Sequence, residues 1–105
     1  MIMVQFARIH ADKADTLLGW MDELAEREQE AHETMAADSI THEVAYLLET
    51  KEGPVFISVM FATDPELAER MRFASKHPIA EKYRVIMKDA LVEILHPKQI
   101  FEAHL

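Results

Sequence analysis

The chain has no cysteine, and that one absence removes disulfides, thiolate nucleophiles and cysteine-bound zinc or iron–sulfur sites together. Any metal would have to be held by histidine and carboxylate. Glycine is nearly missing too, with two residues in 105. A phosphate-cradling loop needs several closely spaced glycines, so nucleotide-binding loops have no support. Neither G-x-S-x-G nor H-E-x-x-H occurs, which removes the serine-hydrolase elbow and the zincin helix. Basic residues are scarce: 11 Lys and Arg stand against 19 Asp and Glu, a formal net charge of −8. Such a surface repels phosphate backbones and anionic lipid, so nucleic acid is not an expected partner. No apolar run approaches the roughly 18 residues of a membrane span, and the first residues, MIMVQFARIH, lack a basic segment followed by a cleavable apolar one. The expectation is a soluble cytoplasmic protein.

What is present is a core-forming composition. Half of the 105 residues are hydrophobic, enough for one domain with a single core and too few for two. The run Ile2–Ile9 has strand length, and Asp12 and Asp15 suit the start of a helix. One long helix is predicted over residues 13–36. Leu17, Met21, Leu24, Ala31 and Met35 form its inward stripe, with Asp22, Glu26, Glu30 and Glu33 on the other side. Residues 40–49 and 55–62 read as two strands of a hairpin turned at Gly53 and Pro54.

Asp64, Pro65 and Glu66 then supply an N-cap, a first helical residue without a needed N–H, and first-turn negative charge. The helix so started should run to about Ala74. Pro78 holds His77 out of the helical region, so the helix breaks there and restarts, running to about Ala90 with Ile79, Tyr83, Ile86 and Ala90 inward. Residues 92–96 read as a fourth strand, and QIFEAHL as a fifth short strand or an arm.

The order strand, helix, strand, strand, split helix, strand defines an α+β, ferredoxin-like βαββαβ sandwich over residues 1–105. Its strands are apolar on both sides: Val4 and Phe6 alternate with Met3 and Ala7, and Val55, Ile57 and Val59 with Phe56 and Met60. Helices cover one face. The other needs a second cover, and another copy of the same sheet is the expected one, which makes the chain a homodimer.

This order and two-faced sheet resemble the dimeric α/β-barrel superfamily, in which two ferredoxin-like sheets face each other. Within it, EAHETM (Glu30 to Met35), the hairpin with Glu43 and Glu49, and SKHPI (Ser75 to Ile79) look like an uncharacterised bacterial family of unknown function. In that family the segment after His-Pro-Ile tends to carry an Asp and a second His. Here Ala80 and Tyr83 stand near those positions. The wider superfamily includes cofactor-independent monooxygenases, lactone isomerases and haem-handling enzymes, between which fold similarity does not choose.

The candidate residues follow from irregularities in the pattern. At about 100° per residue from Leu17, Glu28 falls within the apolar stripe of the long helix and His32 on its shoulder, so both should point toward the sheet. A carboxylate and an imidazole one turn apart can move a proton or supply two ligands to a divalent transition metal. They can also be a plain surface pair. Arg8, on one strand face with Val4, Phe6 and His10, either offers donors to a substrate oxygen or pairs with Glu43 or Glu49 at an interface. His42 reads as a strand-end residue near solvent, and Trp20 and Phe73 as packing or interface. His77 either caps the helix begun by Pro78 or reaches across a pocket mouth toward Tyr83.

The catalytic set that emerges is His77, His32, Glu28, Arg8 and Tyr83, with His32, His77 and Glu28 as the metal set. The functional expectation is a small-molecule-binding homodimer with His/carboxylate acid–base or single-metal chemistry. Against it stands a non-catalytic ligand-binding or structural dimerisation module.

Overall fold

In the computed structural model, which describes residues 1–105, the apolar runs become four strands: β1 (Ile2–Ile9), β2 (Ile40–Thr50), β3 (Gly53–Ala62) and β4 (Leu91–Leu95). They form one sheet in the order β2-β3-β1-β4, with every neighbouring pair antiparallel. The helices are α1 (Ala14–Glu26), α2 (Glu28–Ala37), α3 (Pro65–Ala74) and α4 (Pro78–Ala90), with a short 3-10 turn at Ala11–Lys13 before α1. This is the ferredoxin-like α+β arrangement, with each of its two helical connections broken into a pair. No helix is long and apolar enough to cross a membrane.

Local chemistry sets most boundaries. Gly53 takes φ +112° at the hairpin, a conformation that side chains resist. The Thr50 hydroxyl closes this turn by donating to the Gly53 carbonyl at 2.7 Å. Asp64 caps α3 by accepting from the Leu67 N–H at 3.1 Å, with Pro65 in the first helical position. Ser39, at φ +66°, ties the turn before β2 to the start of α3: its hydroxyl donates to the Asp64 carbonyl at 2.9 Å and accepts from the Asp64 N–H at 3.0 Å.

The structure corrects the single helix expected over residues 13–36, which is broken at Arg27 (φ −101°, ψ 42°). Arg27 spans the break, its guanidinium donating to Glu23 at 2.8 Å and Glu30 at 2.6 Å. The break resets the rotation of every later side chain, and the consequence for Glu28 appears below. Residues 96–105 carry no regular structure, and Ile100 and Phe101 are exposed there.

The sheet has two unlike faces. Toward the helices, Ala7, Ile9 and Phe56 are buried with Leu17 and Ala90, and Met21, Leu47, Tyr83, Ile86, Met87 and Leu91 pack around them. On the open face lie Val4, Phe6 and Arg8 of β1, His42, Val44, Tyr46 and Leu48 of β2, and Ile57, Val59 and Phe61 of β3, by the strand register. Ile2, Val4, Tyr46 and Leu48 are each at least half exposed. Both faces are therefore apolar, as the alternation implies, and one is uncovered in the single chain.

Candidate functional site

Three rows cross the helix-facing side of the sheet. Ala7, Phe56 and Leu47 form the first, Gln5, Ser58 and Ala45 the second, and Met3, Met60 and Glu43 the third. Phe56 fills the space above the first row and is 2% exposed. One step along β3, Ser58 takes the equivalent place with a far smaller side chain, and the packing opens. A cavity of about 430 Å³ lies there, floored by Met3, Gln5, Ser58 and Met60 and roofed by α3 and α4 through Met71, Arg72, Ile79, Ala80, Tyr83 and Met87. Its size and mainly apolar wall are those of a small-molecule pocket.

A second cavity, about 320 Å³, lies under the broken helix, walled by Met21, Leu24, Ala31, Met35 and Ala45. Thr34, Asp38, Ile40, Glu43 and Tyr83 line both spaces. The polar groups among them thus stand where the two cavities meet.

Glu43 is both wet and crowded. Solvent reaches it through the cleft, yet protein surrounds it closely enough that desolvation raises the carboxyl above its ordinary range, with the Asp38 charge adding to the effect. Asp38, at the C-terminal end of α2, is 8% exposed. Its Oδ1 has no hydrogen-bond partner, and its pKa is also raised by burial. The Tyr83 hydroxyl is pushed well above the usual tyrosine range by burial, then by the Glu43 charge, with Arg72 opposing. Tyr83 therefore stays protonated and is a hydrogen-bond donor for anything in the cavity.

The basic side chains nearby are largely engaged. Arg84 donates to the Ser75 and Arg72 carbonyls at 2.6 and 3.4 Å, stitching the α3–α4 connection, and Arg72 reaches Glu69 at 3.7 Å. Trp20 is 2% exposed and meets Tyr83 edge to face, with ring centroids 6.2 Å apart. The single tryptophan of the chain is thus one side chain removed from both cavities.

Of the catalytic and metal candidates expected from sequence, Tyr83 is the one that lines the cavities, while Phe73, read as packing or interface, lines the larger. His77 caps α4: its Nδ1 accepts from the Ile79 N–H at 3.1 Å, and its Nε2 meets Glu33 at 3.1 Å. Since Nδ1 accepts, the neutral ring carries its proton on Nε2 and donates to that carboxylate. Glu28 and His32 form an i, i+4 contact at 3.6 Å with side chains 75% and 67% exposed. Past the break at Arg27, Glu28 and His32 both face away from the sheet, which corrects the inward placement of the pair expected from an unbroken helix.

Arg8 stands on the open face, where Glu93 at 3.3 Å and Glu52 at 3.5 Å pair with it in place of the expected Glu43 or Glu49. His10 is exposed, and exposed His42 stacks on Phe61, with centroids 5.8 Å apart. The structure does not gather Glu28, His32 and His77: no group of three or more His, Asp or Glu side chains is arranged to hold a metal ion.

The cavity groups missed as site residues are Glu43 and Asp38. The alternation of Glu43 with Ala45 and Leu47 was visible, but not which sheet face that set occupies. Asp38 carries no sequence signal beyond a carboxylate at a helix end.

A ferredoxin-like α+β domain with an apolar cavity between sheet and helices, anchored by a carboxyl and a tyrosine, is the class that fold and site define. The chain belongs to a family of unknown function, DUF6176, whose model matches residues 2–103. Among solved structures it is similar to Rv0793 from Mycobacterium tuberculosis, with 16% identity, a TM-score of 0.54, and 96% of this chain and 97% of that one covered. At that identity the likeness is one of fold. No curated protein matches the chain.

Proposed function

We propose that the protein binds a small, largely apolar organic molecule in the cavity of about 430 Å³, with Glu43 and Tyr83 as polar anchors. The observation that carries this reading is the replacement of Phe56 by Ser58 in the next sheet row. It opens an apolar space directly against two hydrogen-bonding groups of shifted proton affinity. A carboxyl raised toward neutrality can take or give a proton, and a protonated tyrosine can steady an oxygen as charge develops on it. Proton transfer on the bound molecule is therefore the chemistry these groups support. The same pair also serves a carrier or sensor without turnover.

The working unit in this proposal is a homodimer. The open face presents Ile2, Val4, Tyr46, Leu48 and Phe61, all substantially exposed, and a second copy of the sheet supplies a cover of matching chemistry. Two sheets so joined would form the barrel of the dimeric α/β-barrel superfamily that the sequence resembles.

Trp20 provides the test. Titration with 2-phenylethanol, a neutral aromatic probe, should change its emission saturably in the wild type. Ala80→Phe, which fills the cavity from α4, should abolish the response while the circular dichroism spectrum is kept. A linear, non-saturating response shared by both proteins would refute binding at this site.

A further inference from the structure

The larger cavity gathers charge of the sign that the chain has least of. The net charge is −8, yet Arg72, Arg84 and Lys88 all line this space. Ala80, Tyr83, Arg84, Met87 and Lys88 fall at i, i+3, i+4, i+7 and i+8 of α4, so one stripe of that helix faces the cavity. Arg72 comes from α3, and its charge acts on the Tyr83 hydroxyl. Acids match these cations poorly. Asp89, next to Lys88, is taken by Lys13 at 2.9 Å, and no carboxylate pairs with Lys88 itself. Glu69 stands 3.7 Å from Arg72, beyond good hydrogen-bond geometry. Arg84, one turn from Lys88, donates to the Ser75 and Arg72 carbonyls, neutral groups that leave its charge uncancelled. The carboxyls in the same cavity belong to its other side: Glu43 is on β2, whereas Lys88 lines the wall with Leu91 and Ile94 of β4. β2 and β4 are opposite edges of the sheet, roughly 14 Å apart at the usual strand spacing, which exceeds the screening length at physiological salt.

We propose that the larger cavity takes an organic carboxylate, its acid group held by Arg72 and Lys88 and its apolar body lying over Met3, Met60 and Met87. This rests on the ligand-binding reading above and names the ligand class. An ionised carboxylate is an acceptor only, and guanidinium and ammonium groups are donors only, so the pairing leaves no group mismatched. The body extends from there toward Glu43, which meets the ligand away from its charge. With Asp38 and Glu43 lining the same space, a single negative charge is better accommodated than a phosphate dianion.

The experiment compares phenylacetate with 2-phenylethanol, which matches it in shape but carries a hydroxyl in place of the charge, by Trp20 emission and calorimetry at pH 7.5. The expected result is a carboxylate affinity at least about tenfold above that of the alcohol. Lys88 is exposed and outside the core, so its variants should keep binding the alcohol, which also reports that they have folded. Lys88→Gln should lose part of the carboxylate preference and Lys88→Glu all of it. Lys51→Gln, in the turn between β2 and β3, changes the net charge as much as Lys88→Gln does and should leave both affinities unchanged. Equal binding of the two probes by wild type, a preference that survives Lys88→Glu, or one that Lys51→Gln reduces as much as Lys88→Gln would overturn the inference, and alcohol binding would leave the cavity reading standing. Binding of neither probe would overturn both.

Discussion

Replacing His77 by alanine removes two contacts from one side chain, and their geometry sets the size of the loss. The first is the N-cap of α4, in which Nδ1 accepts from the Ile79 N–H at 3.1 Å; losing a cap of this kind costs about 1 kcal/mol. The second is the 3.1 Å contact to Glu33, which ties α4 to α2 between side chains 25% and 53% exposed. A half-solvated pair of this sort contributes roughly 0.2–1 kcal/mol. His77→Ala should therefore destabilise the domain by about 1–2 kcal/mol, which lowers Tm by roughly 5–15 °C in a domain of this size. His77→Asn, which restores a capping acceptor but is too short for Glu33, should recover the larger share. Melting curves followed by circular dichroism at fixed pH and protein concentration measure both. An alanine variant within about 2 °C of wild type, or an asparagine variant no better than alanine, would refute the capping role.

Three further predictions concern other parts of the molecule. Leu17, 1% exposed at the centre of the core, should cost about 2–5 kcal/mol when truncated to alanine, read as a shift of the urea midpoint. Val4→Asp places a charge in the middle of the open sheet face and should yield a folded monomer by light scattering where the wild type gives a dimer. Two equal masses would contradict the proposed interface. Glu43→Gln should be more stable than wild type at pH 7.5. The Glu43 carboxyl is raised in the fold, so its ionisation opposes folding, and its contribution to stability is fully present below the unfolded pKa and lost as pH rises through the folded one. The advantage of the variant should shrink toward zero as pH falls below the ordinary glutamate range. A gap that widens on acidification would reverse the sign of the reasoning.

The parts of the fold legible in the sequence are those decided by neighbours along the chain. Asp64, Pro65 and Glu66 start α3 through backbone chemistry within one turn, and Pro78 forces the break before α4, so both boundaries appear where local rules put them. The four strands and the ferredoxin-like order follow from apolar runs of the right length. Glu28 was misplaced because helix phase was carried through Arg27, where the backbone leaves the helix. The contacts of Arg27 with Glu23 and Glu30 are local, but how α2 settles over β2 is not, and no short window contains it. Glu43 was missed for a related reason. Strand alternation separates Glu43, Ala45 and Leu47 from His42, Val44 and Tyr46, yet the choice of face is made by the pairing of β2 with β3 and by the helices above. The cavity itself comes from Phe56 and Ser58 occupying successive rows, a size difference whose meaning appears only when α4 lies over both.

The central claim is that a small organic molecule occupies the space between sheet and helices, and the seven methionines of the chain allow it to be tested directly. Met3, Met60, Met71 and Met87 line the larger cavity, Met21 and Met35 the smaller, and Met1 lies outside both. Methyl spectra of protein carrying ¹³C-methyl methionine should be recorded during titration with 2-phenylethanol. Saturable shifts at Met3, Met60, Met71 and Met87, with Met1 unmoved, are the predicted result; shifts that fail to saturate, or that fall on Met1 and leave those four unchanged, would contradict it.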